Sequence, residues 1–179
     1  MVIGEPKALD EGSEKGLVFN GKDTGLEFPS NPIAGLTQFT IEVRFSPDPT
    51  GEPEQRFFHI EDEKGSRALL EIRLSDGHWA LDSFLATKTS RLPLLDRAKS
   101  HPAGKWTWVA MVYDGKVMRH FINGEKEMEG PVDFPPSASG KMSLGVRLNR
   151  VYWYKGAISE IRFHPSALEG SDLQKISAK

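Results

Sequence analysis

The segment Phe39-Thr40-Ile41-Glu42-Val43-Arg44-Phe45 alternates without a fault, sending Phe39, Ile41, Val43 and Phe45 to one face and Thr40, Glu42 and Arg44 to the other. That period of two predicts a strand with one core face and one wet face. Leu70-Glu71-Ile72-Arg73-Leu74 repeats the pattern. Trp106 to Tyr113 carries a more fully apolar version, predicting a strand covered on both sides in the middle of a sheet. From Gly16 to Pro165 short runs of Val, Ile, Phe, Tyr, Trp and Thr are punctuated by Gly, Pro, Asn and Asp, the rhythm of an all-β sandwich. Tyr113-Asp114-Gly115-Lys116 and Ile122-Asn123-Gly124-Glu125 carry Asp-Gly and Asn-Gly pairs, which tolerate the positive φ of two-residue hairpin loops, so three consecutive antiparallel strands are expected. The Pro-rich pieces at 46–53 and 134–139 cannot continue a ladder and read as surface loops. Ser166 to Ile176 predicts a short closing helix or turn, with Ser171 as N-cap and Leu168, Leu173 and Ile176 as its apolar patch.

A chain of 179 residues suffices for one sizeable core, so the expected organisation is an N-terminal extension over 1–15 and a single domain over 16–179. The 23 basic and 25 acidic residues are interspersed, leaving a net charge of −2 and arguing against nucleic acid as a partner. No apolar run approaches the roughly 20 residues of a spanning helix, so no membrane insertion is expected. The absence of cysteine removes disulfides, thiolate nucleophiles and Cys-based zinc sites. Met1 to Gly12 is polar and acidic, without the apolar stretch of a signal peptide.

Gly16 to Lys22 opens like a phosphate-binding loop, yet Asp23 stands where a hydroxyl is needed and would repel phosphate. Glu61-Asp62-Glu63 puts two carboxylates on one strand face, but the following Lys64-Gly65 makes it a solvated strand end entering a turn. None of the five histidines pairs with another at helical metal-ligand spacing. His101 and His164 each precede a proline at loop or strand-end positions, whereas His59 and His120 fall within strands, as groove-lining groups or as ordinary strand residues. Trp106 and Trp108 read as core. Trp79 opens a strand after the Asp76-Gly77 turn, and the aromatic cluster Tyr152-Trp153-Tyr154 either stacks on a sugar or protein partner or covers the sandwich end. No Gly-x-Ser-x-Gly elbow supports acyl transfer.

Phe39 to Phe45, Trp106 to Gly115, Phe121-Ile122-Asn123-Gly124-Glu125 and Lys155 to Phe163 resemble, in order, the laminin-G-like, concanavalin A-like lectin/glucanase superfamily. Leu17 to Gly21 and Leu26 to Pro29 look like its opening hairpin, so the resemblance covers nearly the whole chain. It implies a jelly-roll sandwich of two curved antiparallel sheets that binds carbohydrate or protein outside the cytoplasm, at the cell surface or in the periplasm, sometimes as an accessory module in polysaccharide degradation. Many relatives carry calcium-associated Asp residues where this chain has Thr24 and Ser159, with Asp23 and Glu160 nearby, so calcium is disfavoured and no cofactor is expected. The Glu-x-Asp-x-Glu strand of the β-glucan hydrolases is absent, and Arg67 to Arg73 only loosely echoes the Arg-x-Glu-Leu-Arg pattern of lyases.

The leading expectation is a non-catalytic module that recognises glycan or a protein surface through its concave sheet or loop rim. Its candidate ligand-binding residues are Glu42, Arg44, His59, Glu71, Arg73, Trp79, His120 and Trp153. One alternative is a polysaccharide-acting enzyme with Glu71 or Glu42 as acid or base and Arg44, Arg73 or His59 positioning substrate. The other is a structural or interaction domain of a larger assembly.

Overall fold

The computed structural model describes residues 1–12 and 14–176. Among them the chain forms β1 (Val2–Ile3), β2 (Lys7–Glu11), β3 (Glu14–Asn20), β4 (Gly25–Phe28), β5 (Phe39–Pro47), β6 (Glu54–Asp62), β7 (Arg67–Ser75) and β8 (His78–Ala86). There follow β9 (Arg91–Leu95), β10 (His101–Pro102), β11 (Thr107–Tyr113), β12 (Val117–Ile122), β13 (Glu125–Pro131), β14 (Gly140–Leu144) and β15 (Lys155–His164). Two antiparallel sheets face each other. The first, sheet A, runs β1-β4-β14-β6-β7-β8-β10 with β9 also on β8, and the second, sheet B, runs β13-β12-β11-β5-β15-β3-β2. Residues 1–15 thus supply an edge strand to each sheet, and residues 177–179 of the expected domain lie outside the described residues.

Period-two burial builds the core. Phe39, Ile41, Val43 and Phe45 of β5 meet Leu70, Ile72 and Leu74 of β7 in one apolar layer. Phe45 stacks on Phe57 at 4.5 Å and meets the edge of Trp79 at 5.0 Å. The β11 strand is buried along its whole length, as its apolar run predicts. Asn123 and Gly124 adopt φ of 48° and 80°, the paired positive values of a two-residue hairpin. In the β11–β12 turn only Gly115 does so, at 96°, while the Asp114 carboxylate accepts from the Lys116 and Val117 amides.

Sheet B departs from expectation on its outer face. Thr40 and Glu42 are fully buried there, because Ser166 to Gln174 lies across them. This segment forms turns, and no helix occurs among the described residues. Leu173, Leu168 and Ala167 pack on Ala110, Val112 and Phe121, making a second apolar layer outside the sandwich. Trp106 and Trp108 belong to this side as well, beneath the guanidinium groups of Arg44 (4.6 Å) and Arg162 (5.3 Å), rather than between the sheets.

Candidate functional site: a charged groove on sheet A

On β7 the inward residues Ala68, Leu70, Ile72 and Leu74 alternate with Arg67, Leu69, Glu71 and Arg73, which face out. Likewise β8 turns Trp79, Leu81 and Leu85 inward and Asp82 and Phe84 outward. In β6 a bulge between Arg56 and Phe58 inserts Phe57, so both phenylalanines point into the core while Arg56 stands opposite Glu71 on the outer face. The connection from β14 to β15 folds over this face, with Tyr152 O accepting from the Arg56 amide at 2.9 Å. The result is a groove of about 280 Å³ with Arg56, Glu71, Arg73 and Asp82 at one end and Arg67, Phe84, Pro93 and Arg147 around it.

The charges at its centre form a nearly buried network. Arg73 Nη2 lies 2.5 Å from Asp82, 3.0 Å from Glu71 and 3.3 Å from Glu54. Arg56 lies 3.0 Å from Glu71 and 2.6 Å from Glu54, although its Nε and Nη1 are not aligned for hydrogen bonding. Burial, reinforced by Glu71, raises the Asp82 carboxyl to about 6 against the opposing pull of Arg73. Arg56 also caps the ring of Tyr152 at 3.6 Å, a residue that is 43% exposed. Trp153 stands beside it in a second hollow of about 310 Å³, lined also by Pro53 and Glu54.

Glu71 and Arg73 therefore share one groove, and the exposed Tyr152, with Trp153, lines the adjoining hollow, the two being linked through Arg56. The other candidates do not join them. Glu42 and Arg44 lie on the opposite sheet. Glu42 accepts from the Gln174 amide at 2.7 Å and contacts His164 at 2.9 Å, anchoring the C-terminal segment. Arg44 is held by Glu14 and by Ser159 at 3.2 Å. Trp79 is fully buried in the core because it shares a strand face with Leu81 and Leu85. His59 is on the sheet A face but roofed by the 145–154 loop, whose Leu148 amide donates to Nδ1 at 3.1 Å; burial, with Arg147, Arg67 and Arg56, lowers it to about 3. His120 is buried and bonds Ser83 at 2.8 Å, and burial lowers it to about 4 against the opposing pull of Glu127 at 3.7 Å. The fully buried Ser83 is not placed to attack a substrate.

Thr24 Oγ1 bonds the Asn20 amide at 2.8 Å, and Glu160 pairs with Arg162 at 2.6 Å. Among the described residues no group of three or more acids and histidines is placed to hold a metal ion. No helix there is long and apolar enough to cross a membrane.

A family model described as the concanavalin A-like lectin/glucanases superfamily matches residues 20–174. No curated protein sequence matches at a significant level. Among solved structures, domain 4 of AbnA, a GH43 extracellular arabinanase from Geobacillus stearothermophilus in complex with arabinotriose, superposes with TM-score 0.69 at 24% identity, over 94% of this chain and 79% of that one. The heptameric SAP-like pentraxin of Limulus polyphemus gives 0.66 at 18% identity, over 86% of this chain and 76% of that one. Domains LG4-5 of the mouse laminin alpha1 chain give 0.59 at 17% identity, over 90% of this chain but 44% of that one. At these identities the likeness is one of fold.

Proposed function

This chain belongs to the concanavalin A-like lectin/glucanases superfamily, and on that premise we propose that it is a non-catalytic module that binds carbohydrate in the sheet A groove. The observation that carries the reading is the Arg56–Glu71–Arg73–Asp82 network on one sheet face, with the partly buried Phe84 in the same groove and Arg56 linking it to the exposed Tyr152 of the adjoining hollow. Pre-oriented charged groups exchange hydrogen bonds with sugar hydroxyls, and flat rings stack on the C–H face of a pyranose or furanose. The arabinotriose held by the structurally similar arabinanase domain supports a saccharide over a protein surface. An extracellular setting goes with the same reading.

The enzyme alternative has one observation in its favour, the raised Asp82 carboxyl, which keeps a proton closer to neutrality than an ordinary aspartate. Hydrolysis needs a second, uncommitted carboxylate, and Glu71 is held between Arg56 and Arg73. Binding is therefore the better use of these groups.

Titration calorimetry against a panel of plant and microbial oligosaccharides, with product analysis of the same mixtures, tests the proposal. Expected are binding without depolymerisation and roughly tenfold weaker binding for Tyr152→Ala and Phe84→Ala. Depolymerisation that Asp82→Asn abolishes, or binding indifferent to both ring deletions, overturns it.

A further inference from the structure

Two guanidinium groups in the groove are left over once the network is complete. Among the described residues neither Arg67 nor Arg147 has a carboxylate oxygen within 4.0 Å. Glu61 stands opposite Arg67 across β6 and β7, yet its Oε2 lies 3.6 Å from His59 Nε2. Arg147 Nε is buried without a hydrogen-bond partner. An orphaned charged donor in a groove is costly unless something arrives to accept from it.

The nearby carboxylates do not reach these forks. Arg56 and Arg73 take up Glu54, Glu71 and Asp82, and Glu61, across from Arg67, stays beyond 4.0 Å of both Arg67 and Arg147, so neither fork has an ion-pair partner in the groove that the two arginines line. Apolar surface adjoins them. The Phe84 ring lies 5.8 Å beneath the Arg67 guanidinium, and Pro93 is paired with Phe84 on β9. We propose that this end of the groove is an anion subsite taking the oxyanion of an acidic saccharide, with its ring against Phe84 and Pro93 and its charged group between Arg67 and Arg147. Planar guanidinium forks suit a carboxylate or sulfate, whose oxygens accept paired N–H bonds. The inference rests on the groove being a saccharide site and adds the class of sugar that it selects.

The test is calorimetry of the intact chain with three probes, an oligogalacturonate, a heparin-derived oligosaccharide and neutral arabinotriose, against wild type, Arg67→Met and Arg147→Met. Methionine keeps an unbranched stem and removes only the fork. Expected is preference for an acidic probe by roughly tenfold or more, lost in each variant while the Tm stays unchanged. Whether the carboxylated or the sulfated probe binds tighter identifies the oxyanion. Equal affinity for neutral and acidic probes, or arginine variants without effect, overturns the subsite and leaves the groove reading standing. Failure of every probe on a wider neutral and acidic panel overturns both.

Discussion

Glu71 and Asp82 occupy directly paired positions on β7 and β8, so two nearly buried carboxylates stand opposite each other on one sheet face. Like charges so placed repel. The fold retains them because Arg73 reaches both, at 3.0 Å and 2.5 Å, and Arg56 approaches Glu71 from the other side. The groove is thus held together by the same groups that would meet a ligand.

Unequal costs follow for the two ways of breaking this arrangement. Asp82→Asn removes one charge of the repelling pair, while Arg73 keeps Glu71 and Glu54. Its stability at pH 7.5 is expected within about 1 kcal/mol of wild type. Arg73→Ala leaves both carboxylates short of their shared cation and should lose about 3–5 kcal/mol in urea denaturation. Asp82 would then hold its proton still more tightly in the folded state. That contribution is greatest in acid and is lost as pH rises through the folded value, so the Arg73→Ala deficit should narrow at pH 5.5. An equal loss in both variants would contradict the bridging role.

Acid should destabilise the wild-type protein through His59 and His120. Each is buried and neutral, with its proton affinity lowered to about 3 and about 4 from the ordinary 6.5. Between those values and 6.5 the unfolded chain binds more protons, so their stabilisation is present above about 6.5 and is lost as pH falls. Asp82, raised to about 6, works in the opposite sense. The net loss from pH 7.5 to 5.5 is about 2 kcal/mol. Denaturant midpoints across this range measure it, and His120→Asn should flatten the profile by about two-thirds.

The C-terminal segment is secured by one buried carboxylate. Glu42 receives the Gln174 amide and faces His164, while Thr40 bonds Ser166 O at 2.8 Å and the Leu168 amide at 3.0 Å. Glu42→Ala should cost about 2 kcal/mol, the scale of a hydrogen bond to a charged group. Hydrogen exchange should rise in 166–176 first, with β7 and β8 still protected. A uniform rise over the whole sandwich would show that the segment does not open by itself.

Much of this architecture is legible in the residues. The Asp76-Gly77 pair, with φ of 50° and 71°, sets Ser75 opposite His78, and that register alone places Glu71 against Asp82. Alternation from Leu81 and Leu85 likewise assigns Trp79 to the core. Alternation says which residues of β5 face outward but not what covers them, and the cover for Glu42 arrives from Gln174, far along the chain. Arg56 is hidden by the Phe57 bulge, which breaks the period of two where the groove is built. Arg147 sits on a loop whose path depends on tertiary contacts with β6 and carries no local pattern, whereas the aromatic cluster at 152–154 is visible in the sequence without showing that Tyr152 is exposed and Tyr154 buried.

Tyr152 separates stability from recognition. Its φ of 60° is a left-handed value that costs a side chain roughly 1–2 kcal/mol, and it is held there while its ring meets Arg56 at 3.6 Å. Tyr152→Gly relieves that strain but loses the cation–π contact and adds freedom to the unfolded chain, so its stability should stay within about 1 kcal/mol of wild type. Tyr152→Ala keeps the strain without the ring and should be less stable than the glycine variant by about 1 kcal/mol. Both lack the stacking surface, so both should bind oligosaccharide roughly tenfold more weakly. Thermal melts and calorimetry on the pair read the two effects independently. A glycine variant that binds like wild type would remove the ring from the recognition surface, whatever its effect on folding.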